Sequence, residues 1–195
     1  MQYLIPANTP ETPRFCTWID AFSDQELDYF QDFARSAQQA GCVNGGLCNP
    51  LVDNEVRRSR IVWGHNDPEH EWVFERLSHV VSKVNAQNYN FDITGFEEAL
   101  QFTNYLSEDN GTYDWHQDCG GAGLVRKLSL ILQLSDPETY SGGDIEIMTS
   151  KQPNKVERKR GLIVVFPSWV VHRVTPVTQG SRQSLVSWIS GPRFR

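Results

Sequence analysis

The spacing of hydrophobic positions changes character near the middle of the chain. Leu27, Phe30, Phe33, Ala34 and Ala37 recur at the three- and four-residue intervals of an amphipathic helix. Ser23-Asp24-Gln25-Glu26 opens that helix as a capping box, in which serine and glutamate each satisfy an end backbone N–H, and Gly41 closes it. A second helix follows Asp67-Pro68, a cap with proline at the first helical position, and carries Val73, Leu77, Val80, Val81 and Val84 on one face. Between the helices, Gly41 to Asn54 is rich in Gly, Asn and Pro and reads as a long loop, a candidate lid or substrate segment. Ser59 to Trp63 reads as a short strand.

From Phe96 onward the helical period is gone. Phe96 to Leu106, Leu124 to Leu134, Asp144 to Met148, Val156 to Phe166, Val170 to Val174 and Arg182 to Ile189 are short β-rich runs separated by turn-forming residues. Helices first and many antiparallel strands afterwards predict an α+β fold: N-terminal supporting helices over about 15–90 and a jelly-roll or cupin-like barrel over about 96–190. One domain spanning 1–195 is the expectation, since 195 residues at 39% hydrophobic content are enough for one sizeable core.

Charge narrows the partners. A formal net charge of -6 argues against broad affinity for phosphate backbones, so no nucleic-acid partner is expected. Two basic clusters, Arg57-Arg58-Ser59-Arg60 and Lys155 with Arg158, Lys159 and Arg160, read first as solvated faces, the former also as a candidate substrate contact. The first residues lack a basic start followed by a long apolar stretch, and no run of about 18 apolar residues occurs, which predicts a soluble cytoplasmic protein with no membrane partner. Cys16, Cys42, Cys48 and Cys119 are accordingly expected as reduced thiols.

Candidate chemistry concentrates in the strand-rich half. His116 and Asp118 stand two apart, and on a strand such residues share a face at roughly 6.5 to 7 Å of rise, so both can grip one ion from a single edge. Alone, such a pair is as easily a surface hydrogen bond. His172 lies in the apolar run Trp169 to Val174, where the plainer reading is a core histidine with one hydrogen-bond partner. Together, two imidazoles and a carboxylate are the set a non-haem Fe(II) centre uses when it must keep positions open for a co-substrate and O2. Arg182 tips the balance: Thr175 to Ser181 reads as a turn, which makes Arg182 the start of the antiparallel partner of the His172 strand, its guanidinium able to fork onto a carboxylate near the metal. Trp188 falls on the same strand face as Arg182. Tyr105 and Tyr113 precede the His-x-Asp, where a phenol can donate to a bound oxyanion. For these three, ordinary packing is the competing reading. His65 to Glu71 imitates a second metal cluster, but acidic residues suit a first helical turn, and His70 and Glu71 should face solvent.

Taken in order, Tyr105 to Gly111, Tyr113 to Asp118, Ser129 to Ser135, Gly142-Gly143-Asp144, Gly161 to Pro167 and His172 to Arg182 resemble the Fe(II)/2-oxoglutarate dioxygenases, in their prolyl 4-hydroxylase-like, PKHD-type branch. The resemblance covers about Phe96 to Ser190 and implies a double-stranded β-helix barrel flanked by helices. It implies His116, Asp118 and His172 as iron ligands and Arg182 as partner of the distal carboxylate of 2-oxoglutarate. Tyr105 or Tyr113 would contact that co-substrate, with Gln133 and Trp188 lining its pocket. The implied reaction couples decarboxylation of 2-oxoglutarate by O2 to C–H hydroxylation, with peptidyl proline as leading substrate and ascorbate as a candidate accessory. A free amino acid or small metabolite is the competing substrate, and a catalytically silent cupin-like binding or sensor module the competing class. Nucleic-acid demethylases of the wider superfamily carry a second arginine where this chain has Trp188, which again disfavours a nucleic-acid substrate.

Overall fold

The computed structural model describes residues 12–37, 39–42, 52–119 and 125–193. Its first part supplies β1 (Cys16–Trp18), α1 (Asp24–Arg35), the short strands β2 (Gln39–Ala40), β3 (Arg57–Arg58) and β4 (Arg60–Gly64), and α2 (Glu71–Val84). Strands β5 (Leu100–Leu106), β6 (Thr112–His116), β7 (Arg126–Gln133), β8 (Tyr140–Gly142) and β9 (Ile145–Met148) follow. The last are β10 (Pro153–Lys155), β11 (Ile163–Pro167), β12 (His172–Val174) and β13 (Val177–Ser190).

The capping box forms as expected, with Ser23 N donating to Glu26 Oε2 at 2.7 Å and Glu26 N to Ser23 Oγ at 3.4 Å. The helix stops earlier than Gly41, at a cap on Ser36. Gly41 serves another purpose: a β-carbon there would overlap Ser59 Oγ, so glycine lets the chain run tightly against its neighbour and donate from Gly41 N to Ser59 O. Helix α2 starts at Glu71 rather than beside Pro68, because the Asp67 carboxylate accepts from the backbone of Glu69 and His70 and closes a separate turn. His70 is buried, contrary to expectation, with its ring against Phe33 and Phe102 and its Nδ1 on Asp67.

Two antiparallel sheets carry the rest. The larger runs β1-β11-β7-β13-β5-β4-β2, with β8 paired to the start of β13, and the smaller runs β10-β9-β12-β6-β3. Alternation along each strand gives the larger sheet two different faces. Leu100, Phe102, Leu130, Leu132, Leu185 and Ile189 point to one side and pack with Phe30, Ala34, Val73, Leu77 and Val81 of the helices. Burying such a side chain contributes on the order of 1.5–3 kcal/mol, so this helix-backed face stiffens the sheet. The opposite face meets the smaller sheet over Ile131, Ile145, Ile147, Val164, Phe166 and Val170. Helices on one side of a two-sheet barrel is the predicted plan. Among the described residues no helix is long and apolar enough to cross a membrane.

Strand β13 departs from expectation. The segment before Arg182 is not a turn joining it to β12; the strand already begins at Val177, and its first residues pair with β8. Gly180, at φ 67°, lets the strand bend where a β-carbon would strike Thr139 O at 2.2 Å. Arg182 pairs with Tyr105 of β5, so it belongs to the larger sheet while His172 belongs to the smaller.

Candidate metal centre

His116 ends β6, His172 opens β12, and the two are direct cross-strand partners. His116 Nδ1 lies 2.7 Å from Asp114 O and His172 Nδ1 3.0 Å from Val170 O. A carbonyl only accepts, so each Nδ1 carries a proton, which in the neutral ring leaves the lone pair on Nε2. Asp118 lies past the end of β6, not on the strand edge beside His116. Asp118 N and Cys119 N both donate to Ser168 O, at 2.9 and 3.0 Å, and this turns the carboxylate back toward the rings. Asp118 Oδ1 then stands 3.6 Å from His116 Nε2 and Oδ2 3.6 Å from His172 Nε2. The three donor atoms fall within 4.8 Å of one another.

Charge suits the geometry. Burial pushes His116 down to about 4, helped by repulsion from His172 and opposed by Asp118, so the imidazole is neutral at physiological pH. Burial alone would raise Asp118, but His172, His116 and the Ser129 hydroxyl hold it below the usual carboxylate range. Two imidazole nitrogens and one carboxylate fit a divalent iron of the non-haem kind, which leaves positions for other ligands. Tyr113 stacks on His116 with centroids 3.5 Å apart, and Phe166 meets His172 edge-on at 4.6 Å, which fixes both rings.

Across the barrel, Arg182 is 1% exposed, and its Nε and one terminal nitrogen have no hydrogen-bond partner. The other terminal nitrogen reaches Ser184 Oγ at 3.5 Å, and among the described residues no carboxylate pairs with it. Its guanidinium lies 5.5 Å from the Tyr105 ring. A β-carbon on Gly143 would stand 2.9 Å from Arg182 Cδ, so glycine leaves this side chain its room. A buried, unpaired guanidinium costs several kcal/mol, which marks the place for an anion.

A cavity of about 770 Å³ opens over the three donors and is lined by Tyr105, Tyr113 and Trp188 among others. Trp188 Nε1 is buried without a partner, and the Arg126 guanidinium covers the indole at 3.9 Å. Glu98 holds Arg126 through a two-pronged pair, Nε to Oε1 at 2.6 Å and the second nitrogen to Oε2. Gln133 does not line the cavity: it faces inward on β7, but its amide donates to Glu157 O at 2.7 Å.

Sequence reasoning missed Arg126, Glu98, Ser129 and Ser168, because each lies far in sequence from the residue it serves. Arg57 was legible in part. Alternation in Arg57-Arg58-Ser59-Arg60 separates Arg57, buried in the cavity wall, from two partly exposed arginines, Arg58, which donates to Asn54 O and Asn110 O, and Arg60, on Glu108 and Asp109. The lid expectation for Gly41 to Asn54 falls mostly on residues 43–51, outside those described.

The 2OG-Fe(II) oxygenase superfamily model matches residues 100–190, the segment that holds all four residues His116, Asp118, His172 and Arg182. A PKHD-type hydroxylase of Nitrosomonas europaea is 30% identical over 179 residues, covering 87% of this chain and 75% of that protein. The chain belongs to the PKHD-type hydroxylases. Another, from Hyphomonas neptunium, is 47% identical over a shorter stretch of 70 residues, 36% of this chain and 31% of the relative. Identity is thus densest over part of the chain. Among solved structures, a Pseudomonas putida prolyl-4-hydroxylase superposes with a TM-score of 0.71 at 18% identity, covering 92% of this chain and 94% of its own. A Trichoplax adhaerens prolyl hydroxylase in complex with a hypoxia inducible factor peptide fragment does so with the same TM-score of 0.71 at 18% identity, covering 91% and 84%. These PKHD-type and prolyl hydroxylase likenesses agree with the two-sheet barrel and its helical backing.

Proposed function

We propose that this chain uses Fe(II), O2 and 2-oxoglutarate to hydroxylate a C–H bond of a peptidyl side chain, proline foremost, with release of CO2 and succinate. The observation that carries the reading is Arg182, a fully buried guanidinium with unpartnered nitrogens, in the same barrel as a two-nitrogen, one-oxygen donor set. In this reading His116, Asp118 and His172 hold the iron. Iron and the keto acid, when bound, supply redox chemistry that the chain's own side chains lack.

The rest of the work falls to the protein. Arg182 forks onto the distal carboxylate of 2-oxoglutarate, and Tyr105, its cross-strand partner, closes the pocket over the co-substrate. Tyr113 holds the His116 ring by stacking. Trp63, Trp115 and Trp188 line the cavity, and such flat apolar walls suit the ring of a prolyl residue while excluding bulk water. The Trichoplax neighbour, solved with a peptide, favours a peptidyl substrate over a free amino acid. The helices and barrel act as one unit here, because the helix-backed core stiffens the sheet that carries Arg182.

The test is anaerobic titration with Fe(II) and 2-oxoglutarate, followed by succinate release in air with proline-rich peptides and, separately, free amino acids, each with and without ascorbate. Binding of both ligands and peptide-stimulated succinate release support the proposal. Wild-type protein that binds neither ligand, or His116→Ala that binds and turns over normally, defeats it.

A further inference from the structure

Asp118 lies off the end of β6, so something other than the sheet must orient its carboxylate. Its backbone is anchored through Ser168 O, as described above. The carboxylate is anchored separately: Ser129 Oγ donates to Asp118 Oδ2 at 2.7 Å, and Ser129 Oγ and Ser168 Oγ stand 3.1 Å apart. Both serines are completely buried. Ser129 has a single hydroxyl proton and a carboxylate can only accept, so that proton goes to Asp118 and Ser168 must be the donor in the second bond. Ser168 therefore fixes both ends of Asp118, the backbone directly and the carboxylate through Ser129. Ser168 is fixed in turn by its own N–H, which donates to Lys127 O at 3.0 Å.

We propose that Ser129 is a positioning residue whose hydroxyl, by engaging Oδ2 of Asp118, keeps the carboxylate from binding the metal through both oxygens at once. The inference rests on the metal-centre reading. A carboxylate free to bind through both oxygens would occupy one more position on the ion, and that position would be lost to the co-substrate or O2. Ser129, with Ser168 behind it, keeps the donor set to three atoms. A buried partner of this kind also supports affinity, because outer partners of metal ligands typically carry about 10- to 100-fold in metal binding.

The experiment uses Mn(II) alone as probe, with water-proton relaxivity of the Mn(II)-loaded protein reporting the number of metal-bound waters. Wild type should hold about three waters, Ser129→Ala about two, and Ser129→Thr, which restores the hydroxyl, about three again. An unchanged count in Ser129→Ala overturns the proposal. So does loss of Mn(II) binding in both the alanine and threonine variants, which would assign Ser129 to packing. Wild-type protein that takes up no Mn(II) would instead remove the metal-centre reading on which the inference stands.

Discussion

Two buried arginines line the same barrel and behave oppositely. Arg57 uses its donors on the protein: Nε on Ser59 Oγ at 2.8 Å, one terminal nitrogen on Cys42 O at 3.0 Å and the other on Gln101 Oε1 at 2.8 Å, with the face of Tyr113 at 4.6 Å. Arg182, still more deeply buried, leaves Nε and one terminal nitrogen without partners. A guanidinium with satisfied donors is part of the wall; one with idle donors costs the fold stability unless an outside group completes it. The contrast separates an arginine whose donors are satisfied by the protein from one left with idle donors.

The sharpest way to break that contrast is Arg182→Met. Truncating one partner of a buried charge pair typically costs about 2–5 kcal/mol in binding, so 2-oxoglutarate affinity should fall at least about 30-fold by isothermal titration, while metal uptake stays near wild type. Without co-substrate the same variant should be more stable than wild type, by about 1–2 kcal/mol or a few degrees in Tm, because an incompletely paired charge has been removed. A lower Tm in the ligand-free variant would mean that Arg182 is scaffold after all.

Arg57→Met should do the reverse. Three hydrogen bonds from a charged donor are lost and Gln101 and Ser59 lose a partner, so a loss of about 2–4 kcal/mol in chemical denaturation is expected, with 2-oxoglutarate affinity changed less than about threefold. Equal effects of the two methionine variants on co-substrate binding would dissolve the comparison.

Gly143→Ala should be a weaker version of the Arg182 change. Gly143 sits at φ 64°, and its β-carbon would press on Arg182 Cδ and on Val177 Cγ2 at 3.0 Å. We expect about 1–3 kcal/mol of destabilisation together with about tenfold weaker 2-oxoglutarate binding. Loss of stability with unchanged affinity would show that the arginine tolerates displacement.

The contrast also marks what a sequence can carry. Period-3.6 spacing and a capping box were enough to find α1, because both are local. The ligands His116, Asp118 and His172 and the cation Arg182 were legible because unusual residue types stand out against an apolar strand background. Their assembly was less so. The strand carrying Arg182 pairs with a different neighbour from the one its sequence suggests, since Gln179-Gly180-Ser181 has turn composition yet only bends a continuous strand. The burial of His70 is likewise invisible in local spacing, because it depends on Phe33 and Phe102, on other elements. Gln133 faces the barrel as its strand parity requires, but a carbonyl at Glu157 claims its amide first. Pairings between distant residues, such as Glu98 with Arg126, leave no trace in local spacing.

The smallest effect lies beside Arg182, where Asp144 follows Gly143. Burial would raise the Asp144 pKa, but hydrogen bonds from Lys155 and Arg158 outweigh it and hold the carboxyl below its usual value. Lys155 Nζ stands 3.0 Å and an Arg158 terminal nitrogen 2.6 Å from its oxygens. A carboxylate whose folded pKa is depressed contributes stability that is fully present above the unfolded value, about 4, and is lost as pH falls through the lower folded value. Lys155 is largely exposed, so screening should keep the contribution under about 1 kcal/mol. Asp144→Asn should therefore lower Tm by about one or two degrees at pH 7 and by less at pH 3, which lies below the unfolded value, where the carboxyl of the unfolded chain has taken up a proton. The backbone of Asp144 is tied independently, its N–H donating to Thr175 Oγ1 at 2.8 Å, so the turn that seats Gly143 against Arg182 should survive the substitution. Unchanged 2-oxoglutarate affinity in Asp144→Asn would then confine this ion pair to the scaffold side, with Arg57, whereas a drop in affinity matching that of Gly143→Ala would extend the binding side to the whole Gly143-Asp144 turn.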